Sequence, residues 1–122
     1  MINLQTAIYN ELTTAGLSVY SNIPDNVPAP YVVIGDYTKN EWDTDGETGF
    51  NITLTIHTWS VQRSMAEIHT LMQSVYTALN RAEFAVDGFV GIDFESDDLL
   101  RDPDGLHLHG IQRFRAYLRN EK

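Results

Sequence analysis

The stretch that decides the fold is residues 50–59, which read Phe50-Asn51-Ile52-Thr53-Leu54-Thr55-Ile56-His57-Thr58-Trp59. Apolar and polar side chains alternate along it, and successive side chains of a strand point to opposite faces of a sheet. The stretch therefore predicts a strand with one buried face. The opposite face would carry the remaining side chains, among them Thr53, Thr55, His57 and Trp59.

The segment that follows, residues 64–79, has the spacing of an amphipathic helix. When its residues are placed about 100° apart around an axis, the apolar ones fall within an arc of about 100°, the width of a stripe that faces a core. The residues of this stripe are Met65, Ile68, Met72, Val75, Tyr76 and Leu79. We therefore predict a helix that packs on the sheet.

Weaker patterns on both sides complete the order of elements. Apolar residues recur at helical spacing before Gly16, a residue type that often ends a helix. Further strands are expected at residues 17–20, 31–34, 84–95 and 106–118, and polar loops at 39–49 and 96–105. The order helix, three strands, helix, two strands favours the α+β class, as a two-layer sandwich whose mostly antiparallel sheet has two helices packed on one face. A chain of 122 residues has room for one core, so we expect a single domain over residues 1–122.

The composition narrows the possible partners. The chain has 17 acidic and 8 basic residues and a net charge of −9, so its surface repels nucleic acid unless its few bases cluster. Cysteine is absent, which excludes disulfides and thiol chemistry. No apolar run approaches the length of a membrane span. We expect a protein made in a cytoplasm, with no membrane partner and no sequence-specific contact with DNA.

One group of residues is a candidate metal site. If the last two strands pair with their apolar residues on one face, four polar residues share the other face: Asp93, Glu95, His107 and His109. Imidazoles and carboxylates are ligands that suit zinc. Alternation along any strand produces the same arrangement without a metal. A small metal-binding protein is therefore the less favoured alternative, and we expect no metal and no cofactor.

No motif of the sequence points to catalysis. The chain has no Gly-x-Ser-x-Gly elbow and no glycine-rich phosphate loop before a helix. The acidic loops also fail as calcium loops. With Gly46 or Gly105 at the sixth position, an isoleucine stands at the twelfth, where a glutamate is needed. We expect that the protein is not an enzyme and has no catalytic residues.

The predicted outer face of the sheet carries residues that suit a contact surface. Trp59, Ile111 and Tyr117 are large side chains to leave in water, and exposed apolar patches often mark interfaces. Scattered apolar surface residues are the other interpretation. The candidate interface residues come from this face and from the polar loop 39–49: His57, Trp59, Ile111, Tyr117, Trp42, Asp43, Asp45 and Glu47.

Several short segments, in this order and spacing, resemble the small tail completion (tail terminator) proteins of long-tailed bacteriophages and prophages. A proline-containing loop leads into the first of them, and an amphipathic helix carries the fourth. The segments are Pro30-Tyr31-Val32-Val33-Ile34-Gly35, Trp42-Asp43-Thr44, Leu54-Thr55-Ile56-His57-Thr58-Trp59-Ser60, Val75-Tyr76-Thr77-Ala78-Leu79, Arg101-Asp102-Pro103-Asp104-Gly105 and Gln112-Arg113-Phe114-Arg115-Ala116.

The resemblance implies a virion protein of the tail and neck, made in the host cytoplasm, with a sheet, two helices and no catalytic residues. It also implies a homohexameric ring that sits on the finished tail tube, stops its polymerisation and offers the surface to which a filled head docks. The implied partners are further copies of the chain, the tail tube protein and a head–tail connector or stopper protein. Another neck or head-completion subunit is the alternative within the structural class.

DNA would only pass through the lumen of such a ring. We hypothesise that acids such as Asp43, Asp45 and Glu47 line this channel, where repulsion lets DNA slide through without sticking. Solubility is the other explanation of the same loop charge.

Overall fold

A computed structural model describes residues 2–44, 47–61 and 65–119 of the chain. Helices and strands follow one another in the predicted order. They are α1 (Ile2–Thr14), β1 (Val19–Tyr20), β2 (Tyr31–Thr44), β3 (Glu47–Ser60), α2 (Ala66–Leu79), β4 (Phe89–Arg101) and β5 (Leu108–Arg119).

The strands form one five-stranded sheet in the order β1-β2-β3-β5-β4. β1 runs parallel to β2, and all other neighbouring strands are antiparallel. Two interior strands, β3 and β5, pair over the whole of β5, from Gly49 opposite Arg119 to Ser60 opposite Leu108. Side chains at paired positions share a face, so this register decides which residues of β3 and β5 meet.

Both helices pack on the same face of the sheet. Leu4, Ile8 and Leu12 of α1 join Leu79 of α2 and Phe114 of β5 in one buried cluster, to which all five strands contribute. The predicted α+β two-layer sandwich is confirmed. Neither helix is long and apolar enough to cross a membrane within the part of the chain that the structure describes.

The two strongest sequence patterns match the structure. Side chains of β3 alternate between buried and half-buried from Ile52 to Ser60, as the period of two predicts. Helix α2 buries Ile68, Met72 and Leu79 from the predicted stripe. Gly16 ends the first helix as expected. Its φ is +89°, and the N–H of Leu17 donates to the carbonyl of Leu12 at 3.2 Å, the closing bond of a helix C-terminus.

The predicted polar loop at residues 39–49 is wrong. β2 continues to Thr44 and β3 begins at Glu47, so most of this segment is an antiparallel hairpin. Residues 36–42 are exposed on both faces, which leaves no buried face to produce alternation. The dipeptide Asp45-Gly46, which lies outside the described residues, is a sequence that favours two-residue hairpin turns.

The predicted loop at residues 96–105 is also wrong for most of its length, because β4 runs from Phe89 to Arg101. The strand contains a register shift: Phe94 lies opposite Phe114, and Ser96 lies opposite Arg113. The extra residue, Glu95, reverses the alternation, so that Asp97 and Leu99 fall on the helix side. The inward residues therefore switch from even to odd positions within the strand, and a constant period of two cannot identify the whole strand.

Candidate functional site

The sheet face that points away from both helices is the candidate site, and we call it the open face. It consists of half-buried side chains on the two middle strands. Within the described ranges, both helices belong to the opposite layer, so neither covers it. These side chains are Asn51, Thr53, Thr55, His57 and Trp59 of β3, and His109, Ile111, Arg113, Arg115 and Tyr117 of β5. The predicted interface residues His57, Trp59, Ile111 and Tyr117 therefore lie on one surface.

A stack of three rings occupies one end of the open face. The ring of Trp59 lies on that of His109, with centroids 3.8 Å apart and planes 8° apart. His109 in turn stacks on His57, with centroids 4.9 Å apart. Nδ1 of His57 lies 2.7 Å from Nε2 of His109, so one imidazole donates its N–H to the lone pair of the other. Sequence analysis singled out His57 and Trp59 for this face, but missed that His109 joins them.

The backbone of β2 makes room for this stack. A Cβ atom at Gly35 would lie 2.7 Å from Nε2 of His57, so only glycine lets the imidazole rest against the strand at this point. Next to Gly35 the pairing of β2 with β3 is irregular, between Ile34 and Tyr37. A cleft of about 780 Å³ opens here beside the stack and reaches Asn22 of the proline-rich loop.

Burial lowers the pKa of both histidines below their ordinary value of 6.5. For His57, the nearby Asp36 opposes this effect and Arg113 adds to it. For His109, the charge of His57 adds to the lowering of the pKa and Asp102 opposes it. Two imidazoles that share one hydrogen bond need at least one neutral ring, so protonation of both rings disrupts the stack.

We expect the thermal stability of the protein to fall when the pH is lowered from about 7.5 to about 5. Below the ordinary histidine pKa the unfolded chain binds protons more readily than the folded one, so acid favours unfolding. Melting curves at several pH values measure this slope. The double variant His57→Gln with His109→Gln should show a shallower slope over this window. An unchanged slope in the variant contradicts this assignment.

The middle of the open face carries ion pairs with the edge strand β4. Arg113 lies 2.8 Å from the carboxylate of Asp98, and Nε of Arg115 lies 2.7 Å from that of Glu95. Because these arginines are matched by acids of the neighbouring strand, the face carries balanced charges there instead of a basic stripe.

A second aromatic contact lies at the far end of the open face. The rings of Trp42 and Tyr117 are 5.5 Å apart and inclined by 61°. Gly49 lies beneath them, and a Cβ atom there would come within 3.0 Å of Cε3 of Trp42. Trp42 therefore belongs to the same surface as the other predicted interface residues. Asp43 and Glu47 lie in β2 and β3, and Asp45 lies outside the described residues.

The metal site proposed from Asp93, Glu95, His107 and His109 does not assemble. Asp93 lies opposite Arg115, whereas His109 lies opposite Leu100, six residues away along β5. This candidate depended on a pairing of the two strands near residues 92–94, and β4 in fact continues to Arg101. The expectation that the protein holds no metal stays a prediction.

A different group of potential ligands occurs at the turn between β4 and β5. Oxygen and nitrogen atoms of Asp102, Asp104 and His107 lie within 4.8 Å of one another. The Asp104 carboxylate accepts the backbone N–H groups of Leu106 at 2.7 Å and His107 at 3.0 Å. These hydrogen bonds lower the pKa of Asp104 to about 2, and the bond from the His107 N–H has the largest effect. The turn itself thus explains the cluster, because a side-chain carboxylate accepts hydrogen bonds from nearby backbone N–H groups, as the sequence Asp-Pro-Asp-Gly predicts.

Comparisons with known proteins agree with this architecture. The family model of the tail completion protein gp17 matches residues 6–119. The "Tail completion protein gp17" of Bacillus phage SPP1 is 33% identical over 95 residues, which cover 76% of this chain and 70% of that protein. A chain in the solved "Virion of native gene transfer agent (GTA) particle" has the same fold, with a TM-score of 0.83 and 21% identity over 97% of this chain and 96% of that one. The resemblance noted in the sequence is confirmed, and the chain belongs to the tail completion protein gp17 family of bacteriophage structural proteins.

Proposed function

We propose that this protein ends the polymerisation of the tail tube and, as a ring of identical subunits, forms the joint between tail and head. The observation that carries the proposal is the open face: a sheet surface with aromatic contacts at both ends, in a chain of the tail completion family. A structural role, without catalysis, is part of the proposal.

The open face has the composition of a protein contact surface. Aromatic side chains dominate the energetics of interfaces, and here Trp59 and Tyr117 mark its two ends. The rings are held in fixed positions by their neighbours, so little side-chain entropy is lost when a partner covers them. Between them Thr53 and Thr55 offer small polar groups that suit the rim or centre of a packed contact. We assign this surface to contacts with the tail tube protein or with a neighbouring subunit.

A ring requires head-to-tail contacts, in which one patch of each subunit meets a different patch of the next copy. The sheet is suited to this because its two edges differ: β1 and β2 form one edge and β4 forms the other. A hexamer, the connector or stopper protein as a further partner, and DNA that passes through the lumen all belong to the proposal. We propose that Asp43, Asp45 and Glu47 line this lumen, and the support for this role is their negative charge in the sequence.

Deletion of the gene from its phage or prophage, followed by electron microscopy of the lysate, tests the proposed function. We expect tails of uncontrolled, mostly excess length and heads that carry no tail. Complementation from a plasmid should restore tails of uniform length. Tails of normal length beside empty or leaking heads would contradict tube termination and would favour a head-completion subunit.

A further inference from the structure

The outer edge of β4 is only partly covered. The backbone N–H of Arg81 donates to the carbonyl of Ile92 at 2.9 Å, and the N–H of Phe94 donates to Oδ1 of Asn80 at 3.0 Å. Beyond this point, β5 is the one strand of the described chain that pairs with residues 95–101. The other side of this segment presents backbone N–H and C=O groups to which an additional strand can bind.

A groove of about 290 Å³ runs beside this edge, between α2 and β4. Met72 and Tyr76 line its helix wall, and Asp97 and Leu99 line its strand wall. Gln112 of β5 lies at its bottom, directly opposite Asp97 in the strand pairing. A helix beside an open sheet edge is an arrangement that receives extended peptides by strand addition.

Gln112 leaves a polar atom in this groove without a partner. Its side chain is 1% exposed, and its Nε2 donates to the carbonyl of Met72 at 3.0 Å. A carbonyl oxygen can only accept a hydrogen bond, so the amide nitrogen of Gln112, and not its amide oxygen, faces the helix. Oε1 is then a buried acceptor that receives no hydrogen bond from any described residue. Buried acceptors are nearly always satisfied in proteins, so this oxygen can take one further hydrogen bond from a donor that a partner brings.

The charge beside the groove specifies the kind of donor. Asp98 and Glu95 of β4 are paired with arginines on the open face. Asp97 is exposed and lies on the helix side, where no described cation forms an ion pair with it. A carboxylate and an amide oxygen at facing positions of two strands together suit a cationic donor between them.

We propose that this groove receives an extended segment of another virion protein, which pairs with residues 95–101 and places a lysine or arginine side chain between Asp97 and Gln112. That the partner is a virion protein rests on the proposed function. The backbone of the segment would use the open edge, and its cation would supply the donor that Gln112 lacks. An overall charge of −9 favours such a basic partner.

A second copy of the chain is a poor occupant. Among the described residues, the other sheet edge of sufficient length is residues 35–44 of β2, which contains three acidic residues and one lysine. Residues 93–101 of β4 contain four acidic residues and one arginine. Like charges that face each other across paired strands are unfavourable. The sheet edges of two copies are therefore protected from pairing with each other.

The experiment uses the complete chain in assembled particles. The photo-reactive amino acid p-benzoylphenylalanine replaces His69, an exposed α2 residue that lines the groove, in one variant and Thr13, exposed on α1, in a control variant. Irradiation of purified particles should cross-link position 69 to a different virion protein, at a peptide that mass spectrometry shows to contain a lysine or arginine within about three residues. A cross-link to a second copy, or none above that of the control variant, overturns the proposal.

Two substitutions give an independent measurement. Asp97→Lys should reduce incorporation of the chain into particles about tenfold, whereas Asp87→Lys, a charge reversal at an exposed site outside the groove, should not. Gln112→Met should leave the melting temperature unchanged or higher, because it removes an unsatisfied acceptor, and should still reduce incorporation. Normal incorporation of Asp97→Lys and Gln112→Met overturns the proposal.

The same particles separate this proposal from the proposed function. Absence of the wild-type chain from purified particles would contradict the role in the virion, and with it the assignment of the partner. Presence of the wild-type chain, with no cross-link from position 69, overturns the groove proposal alone.

Discussion

Phe114→Ala is expected to lower the free energy of unfolding by about 3–5 kcal/mol. Phe114 is 0% exposed and lies on the interior strand β5, in the buried cluster to which both helices contribute. Its ring makes an edge contact with Phe94 of the neighbouring strand, with centroids 5.6 Å apart. Because the free energy of unfolding of a small domain is only about 5–15 kcal/mol, a loss of this size removes much of it. Urea denaturation followed by circular dichroism measures it.

Ile111→Ala is the matched control, because Ile111 lies three residues away on the same strand but on the open face. It is half-buried, so the expected loss is smaller, about 1–2 kcal/mol. The contrast tests the assignment of the two faces, which the period of two along β5 predicts. Equal losses in the two variants would show that the open face is packed like a core and would contradict its description as a docking surface.

The parts of the fold that sequence analysis predicted correctly are those with a buried face. β3 and α2 each carry a complete apolar stripe at one constant period, so the elements and the side that each buries followed from the residues. The extended β2–β3 hairpin was missed because residues 36–42 are exposed on both faces and show no period. β4 was misplaced because Glu95 forms a bulge, which reverses the alternation beyond it.

The open face was predicted in part, because alternation along a strand also shows which side chains point away from the core. Alternation assigns His57, Trp59, Ile111 and Tyr117 to the outward side of their strands, where the structure places them. Contacts between strands depend on register, and alternation leaves every shift by an even number of residues possible. The stack of His109 on Trp59 and the failure of the metal site both follow from the observed register. The groove between α2 and β4 was beyond prediction because the strand that forms it was taken for a loop.

Trp59→Ala is expected to weaken association with purified tails by about thirtyfold or more, which corresponds to about 2 kcal/mol. Trp59 is one of the two tryptophans of this surface, and its stack with His109 holds the indole in place before a partner arrives. Buried tryptophans at the centre of interfaces are frequent hot spots, since their large surface loses little entropy on binding. Co-sedimentation of the purified protein with tails that lack it measures the affinity.

Tyr9→Ala is the matched control for this change, because Tyr9 is an aromatic residue that is 43% exposed on α1, in the helix layer. Its truncation should leave the binding to tails within about twofold of the wild type, because surface residues outside an interface contribute little. Melting curves of both variants separate a loss of binding from a loss of folding. If Tyr9→Ala abolishes binding while Trp59→Ala binds normally, the helices face the tail, and the surface that interacts with the tube lies in the layer opposite the open face.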